Sequence, residues 1–275
     1  MTGAARVAAE DIKSCCAALY GSDWATLLVG DSFHPGGLAL TTRLGELLRL
    51  GPGDRVLDVA AGRGASAVHL AKVFGCRVVG VDYGAENVAA ATEAAARAGV
   101  AAPASGYPVS FRQGDAERLP VEDGAFDAAI CECAFCTFPD KATAAAELAR
   151  VLRPGGRVGI SDLIRRGQLP AELDGLLAWV ACIADARPLD EYVAFLTGAG
   201  FARPTVERHD DALAEMVSGI RKKLLGAQLM AKVGKLSLPG ADWDRAAAMA
   251  RAAAEATTRG QLGYAAIVAE LPGSA

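Results

Sequence analysis

The spacing of apolar positions changes near Asp54. Before it, apolar residues recur at helical intervals from about Glu10 to Leu28 and again from Leu38 to Leu48, with GDSFHPGG (30–37) breaking the pattern between them. After it, short apolar runs alternate with longer stretches rich in Ala, Leu and Glu. A strand covered on both faces reads as a continuous apolar run, so this texture predicts a parallel sheet wound with helices. The strands fall at 55–60 (RVLDVA), 77–82 (RVVGVD), 109–115 (VSFRQGD), 126–132 (FDAAICE) and 156–162 (GRVGISD). Beyond Asp162 the pattern predicts helices near 171–184 and 189–200, a strand at 204–208 and a closing strand at 263–271. Roughly 210–260 reads as two helices separated by LPG (238–240), an insertion suited to a lid or an interface. The expected fold is α/β, a doubly wound and mostly parallel seven-stranded sheet over 51–275, behind an N-terminal helical cap over 1–50.

Composition narrows the function. A chain of 275 residues with 52% hydrophobic and 22% charged residues is long enough for one large domain with a substantial core. The net charge of −4, with Lys and Arg scattered, supplies no footprint for a nucleic-acid backbone, so no nucleic-acid partner is expected. No apolar run is long enough to span a bilayer, and MTGAARVAAEDIK lacks the apolar core of a secretion signal. A cytoplasmic location without a membrane partner is the expectation. Seven cysteines, an odd number, then read as reduced thiols rather than a disulfide framework.

Candidate chemistry begins with VLDVAAGRG (56–64). An acidic residue, Asp58, ends a strand, and small residues with Gly62 and Gly64 then open a helix at 65–72, so a ligand can approach the backbone. Alanine at position 60 is expected to fit with φ below zero. Asp82 ends the second strand, placed to accept hydrogen bonds from both hydroxyls of a ribose. GDAERLP (114–120) ends the third and places Asp115 toward an adenine amino group.

With LRPGGR (152–157) before the fifth strand, these motifs resemble the class I S-adenosylmethionine-dependent methyltransferases. The resemblance implies a Rossmann-like methyltransferase sheet and S-adenosylmethionine as the cofactor, held by Asp58, Ala60, Gly62, Gly64, Asp82, Tyr83, Asp115, Ala116 and Cys131. Ala60 departs from the family, which usually has glycine there.

FDAAICECAFCTFPDK places Cys131, Cys133 and Cys136 at or just past the end of the fourth strand, the edge of a parallel sheet where ligands bind. Together with LPAELDGLLAWVACIADA and LDEYVAFLTGAGF, it is similar to the arsenite methyltransferases over roughly 54–207. That similarity implies two substrate thiols, matched here by Cys133 and Cys182. Trivalent arsenic is a soft centre that prefers sulfur ligands, and its lone pair can attack a methyl group in line, so no strong base is needed. The family's cysteine before the first strand has no counterpart in GDSFHPGG, which leaves a third thiol to Cys15, Cys16 or Cys136. Alternatively the cysteines pack as small hydrophobes, as suits Cys76.

His34 is a candidate base or donor if the cap closes over the site, and otherwise a loop histidine facing solvent. Tyr20, Trp24 and Phe33 would shape an apolar lid or join the core. Structural zinc is not expected, because CxCxxC has no second ligand pair. Two further readings fit the same residues: methylation of an O, N or C atom of an organic small molecule, with His34 or an acid as base, and a non-catalytic protein that binds cofactor or metalloid.

Overall fold

The computed structural model describes residues 13–14, 34–101, 108–173, 182–183, 185–232 and 242–273. Seven strands form one sheet: β1 (Arg55–Val59), β2 (Arg77–Asp82), β3 (Val109–Gln113), β4 (Phe126–Glu132), β5 (Leu152–Arg165), β6 (Ala202–Arg208) and β7 (Leu262–Glu270). Their order is β3-β2-β1-β4-β5-β7-β6. The first five are parallel, while β7 runs antiparallel between β5 and β6. The chain therefore leaves β1 in both directions, and the crevice at that reversal is where ligands of open α/β sheets bind.

Helices cover both faces: α1 (Gly37–Leu47), α2 (Ala65–Phe74), α3 (Ala85–Arg97), α4 (Lys141–Val151) and α5 (Leu189–Gly198), then α6 (Asp210–Lys232) and α7 (Trp243–Thr258) between β6 and β7. Side chains alternate across a strand, so each central strand feeds two cores. On β1, Val56 packs with Leu44, Leu48 and Leu70 of α1 and α2, while its neighbour Leu57 packs with Leu148 and Tyr192 of α4 and α5. On β4, Ala128 and Ile130 face the first core, Ala129 and Cys131 the second. This double coverage explains the unbroken apolar runs of the central strands.

Differences from the sequence expectation are local. Strand β5 starts at Leu152 rather than 156, because Leu152 already pairs with Phe126 ahead of a register shift. Its far end continues to Arg165 along β7. Strand β6 starts at Ala202. The expected helix near 171–184 begins as a 3₁₀ turn, Ala171–Leu173; most of its remainder lies outside the described residues, as do most of the first expected helix and Cys15, Cys16, Tyr20, Trp24 and Phe33. Among the described residues no helix is long and apolar enough to cross a membrane.

Candidate active site

The carboxyl ends of β1 to β4 open into a cavity that encloses, with its mouth, about 1060 Å³. Asp58, Ala60, Gly62, Asp82, Tyr83, Asp115 and Ala116 all line it. The turn after β1 forces the chain into the left-handed region at Ala60 (φ 60°), Gly62 (φ 53°) and Gly64 (φ 83°). Ala60 thus has positive φ, against the expectation from its side chain. The Ala61 N–H, which donates to the Val81 carbonyl at 3.0 Å, fixes the turn against β2. Gly64 does not line the cavity. A Cβ there would lie 2.7 Å from the Phe111 ring and 2.9 Å from Ala91, so glycine lets α2 pack close to α3 and β3.

Asp82 has three donors among the described residues. Its Oδ2 accepts from the Gly62 N–H at 2.8 Å, and Oδ1 accepts from the Gly84 N–H and the Asn87 side chain, both at 2.9 Å. A carboxylate offers about four acceptor sites, so roughly one remains for a ligand rather than the two expected. Asp115 pairs with Lys13 Nζ at 2.7 Å, and Lys13 also reaches Glu117 at 2.5 Å. Asp58 is 2% exposed; burial, then the charges of Glu132 and Asp82, pushes its carboxyl well above the usual range.

Glu132 escaped the sequence reading. Its Oε2 accepts from Ser66 Oγ of α2 at 2.6 Å and from Thr41 Oγ1 of α1 at 3.0 Å, with His34 Nε2 at 3.5 Å. His34 is buried and lines the cavity rather than facing solvent, and its Nε2 is 3.3 Å from Thr41 Oγ1. Three buried acceptors, Asp58 Oδ2, Asn87 Oδ1 and Glu132 Oε1, have no partner among the described residues, and all three side chains line the cavity.

The cysteines divide. Cys131 does not reach the cavity: it is fully buried in the core on the other face of β4, which corrects its expected place in the cofactor site. Cys133 lines the cavity, and its N–H donates to the Ser161 carbonyl at 2.6 Å. Cys182 lies behind Cys133 and is 1% exposed; its thiol donates to the Cys133 carbonyl at 3.0 Å. Both have positive φ, 52° at Cys133 and 63° at Cys182, a conformation that costs a side-chain-bearing residue about 1–2 kcal/mol. The Cys133 thiol is raised first by its hydrogen bond to Cys182 and then by burial; the Cys136 thiol is raised by burial and then by Cys182. Beneath them lies Asp162, whose Oδ2 accepts from the Cys136 N–H at 2.8 Å and whose carboxyl is pushed up to about 7, chiefly by burial. Among the described residues no group of three or more His, Cys, Asp or Glu side chains is arranged to hold a metal ion.

Comparison with known proteins gives the site its context. Residues 57–160, from β1 to β5, match a family model described as a methyltransferase domain. The chain carries a class I methyltransferase domain. This methyltransferase domain is 30% identical over 199 residues to an arsenite methyltransferase of Halobacterium salinarum, a match covering 70% of the chain and 49% of that protein. It is 32% identical over 171 residues to the 27-O-demethylrifamycin SV methyltransferase of Amycolatopsis mediterranei, covering 61% of each. These matches thus span about half to three fifths of the curated relatives. A cyclopropane synthase from Mycobacterium tuberculosis shares the methyltransferase fold, with a TM-score of 0.78 over 98% of this chain and 100% of that one at 14% identity.

Proposed function

We propose that this chain transfers a methyl group from S-adenosylmethionine to trivalent arsenic held by the thiols of Cys133 and Cys182. The observation that carries the reading is the junction of these two residues, 49 positions apart, each in a strained backbone conformation and joined by the Cys182 thiol on the Cys133 carbonyl. Strain of this kind persists where the surrounding structure enforces it, and it concentrates at functional sites. Similarity to a named arsenite methyltransferase supports the same reading.

The cavity suits the cofactor. S-adenosylmethionine brings hydrogen-bond donors in its ribose hydroxyls, adenine amino group and ammonium, and the cavity walls offer unpartnered buried acceptors. When bound, it supplies an electrophilic methyl group on its sulfonium. Asp82 takes one ribose hydroxyl at its remaining acceptor site, and Asn87 Oδ1 takes the other. Gly62 and Ala60 let the chain pass close beneath the ligand, while Tyr83, Asp115 and Ala116 hold the adenine side.

The thiols need not be ionised in advance. Each As–OH exchanged for As–S releases one water, formed from the leaving hydroxide and the thiol proton, so neutral thiols are competent ligands. Cys136, whose thiol is raised in part by that of Cys182, would supply a third thiol only by turning its side chain, since the three are not grouped as ligands among the described residues. With arsenic seated, its lone pair would displace the sulfonium in line: the As–C bond would form as the C–S bond breaks, arsenic would pass from the trivalent to the pentavalent state, and S-adenosylhomocysteine would leave, so that orientation by Cys133 and Cys182 supplies the rate. Single-turnover transfer from labelled cofactor to arsenite in excess thiol tests the proposal. Cys133→Ser and Cys182→Ser should each lose roughly 10²-fold while still binding cofactor; wild-type rates in either variant would overturn it.

A second reading, an organic acceptor, rests on His34, buried against Thr41 and Glu132 on the cavity wall and placed to take a proton from a hydroxyl or amine. Arsenite-independent turnover of a metabolite, lost in His34→Ala, would favour it. Ala60 gives no support to an inactive protein, because it adopts the left-handed turn that glycine would.

A further inference from the structure

Lys141 is the first residue of α4, and its side chain is only 3% exposed. Lysine is rarely buried so completely, and a helix N-terminus disfavours positive charge, so two effects oppose this placement. A pair of acceptors offsets them. Lys141 Nζ donates to the Phe138 carbonyl at 3.0 Å and to Asp185 Oδ2 at 2.5 Å. These acceptors belong to the two segments that carry the candidate thiols. Phe138 closes the 3₁₀ turn Phe135–Thr137, which begins just after Cys133, and Asp185 follows Cys182 within a single turn of chain. Asp185 is held in turn by Arg187, whose Nη2 reaches Oδ1 at 2.5 Å, and the Arg187 carbonyl accepts from the Arg165 N–H of β5 at 3.0 Å. Ile183 and Ala186 join the core, but apolar burial is non-directional and does not by itself fix where the segment stands against the turn. The Cys182 thiol on the Cys133 carbonyl joins the same two segments, but a thiol is a weak donor.

We propose that Lys141 is a positioning residue: by bridging Phe138 and Asp185 it sets the spacing of the Cys133 and Cys182 thiols so that one trivalent arsenic centre can bond both. The inference rests on the arsenic reading above and adds a residue that lines no part of the cavity. Two thiols hold one arsenic as a chelate only when both sulfurs reach the same point, and the second bond is lost when geometry forbids it. Lys141 acts on that second bond, not on the exposure of either sulfur and not on the cofactor walls. Its charge-assisted bonds to both segments supply the directionality that packing lacks.

Phenylarsine oxide reads the spacing without turnover, because it joins two thiols to one arsenic and releases its oxygen with the two thiol protons as a single water. N-ethylmaleimide adds to one thiol and reads exposure alone. The full chain is compared as the parent, Cys133→Ser, Cys182→Ser, Lys141→Met and Lys141→Met/Asp185→Leu, all carrying Cys15→Ser and Cys16→Ser to remove that adjacent pair. Lys141→Met and the double variant are each expected to weaken phenylarsine binding by about tenfold or more, with the maleimide rate at Cys133 and the affinity for S-adenosylmethionine within about twofold of the parent. Equal losses in all three measurements would mark a general structural defect and overturn the proposal, as would parental phenylarsine binding in either Lys141 variant. If the parent bound no phenylarsine, or Cys133→Ser and Cys182→Ser bound it equally well, the arsenic reading itself would fall; if those two lost it and a Lys141 variant did not, that reading would stand and the positioning role would not. The double variant keeps the test decisive should Lys141→Met fold poorly, since replacing both members of a buried ion pair with apolar groups of similar volume is often neutral for stability.

Discussion

Ala60 turns the chain at φ 60°, where a β-carbon crowds the neighbouring backbone. The penalty there is about 1–2 kcal/mol for alanine and nearly absent for glycine, whose greater freedom in the unfolded chain costs about 0.5–1 kcal/mol. Ala60→Gly should therefore raise stability by about 0.5–1 kcal/mol, while Ala60→Val should lower it further than a surface change would. Denaturant melts of the two variants check this, and a less stable Ala60→Gly would mean that the turn gains nothing from left-handed freedom. At the same scale, acids at strand ends were legible because position on a strand fixes where a side chain emerges: Asp58, Asp82 and Asp115 all line the cavity. Glu132 was hidden between two cysteines that drew attention to their own chemistry, although period-two alternation separates it from Cys131. Thr41 and Ser66 were not legible at all, since nothing local distinguishes such residues from other small polar ones; packing of α1 on α2 brings them to one carboxylate oxygen.

Elements were legible in proportion to their burial. The central strands β1, β2 and β4 are covered on both faces and match their expected spans to within a residue. Strand β6 lies at the sheet edge with most of its side chains exposed, so its apolar signal is weak and Pro204 obscures its start. The insertion of β7 between β5 and β6 was beyond the reach of periodicity, which locates strands but not their neighbours. Leu213 of α6 and Ala252, Ala253 and Ala256 of α7 join the core beside β7, and the polar attachment of the α6–α7 insertion to that edge centres on Asp210, the first residue of α6. It accepts from Arg166 beyond β5 at 2.8 and 3.0 Å, from Arg208 of β6 and from the Tyr264 N–H of β7 at 3.0 Å. It also places a negative charge at a helix N-terminus. Discounted for partial exposure, losing these contacts should cost about 1–3 kcal/mol, so Asp210→Ala should unfold at lower urea and show faster amide exchange in α6 and β7 than elsewhere. Uniform exchange across the sheet would show that Asp210 does not anchor the insertion.

Taken whole, the molecule closes its cavity with a contact that spans 102 positions of sequence, from Lys13 to Asp115. Lys13 bridges Asp115 and Glu117 while its own side chain is 13% exposed, so the junction is partly sheltered from solvent. In the proposed function Asp115 also meets the adenine, which couples Lys13 to occupancy of the site. Without Lys13, Asp115 and Glu117 stand as neighbouring negative charges beside the cavity. The effect on folding should be small, about 1 kcal/mol or less, because a partly exposed ion pair contributes little to stability. The effect on S-adenosylmethionine should be larger, since the placement of Asp115 is drawn from binding energy. Lys13→Ala is expected to weaken cofactor affinity by about tenfold, chiefly through faster dissociation, with the melting temperature nearly unchanged. Raising salt to about 1 M shortens the Debye length to about 3 Å and should bring wild type toward the variant. Dissociation rates in both proteins at low and high salt provide the check: a variant that releases cofactor at the wild-type rate would show that the Lys13 bridge is no part of the closure, whereas a gap that narrows with salt would identify the bridge as its electrostatic latch.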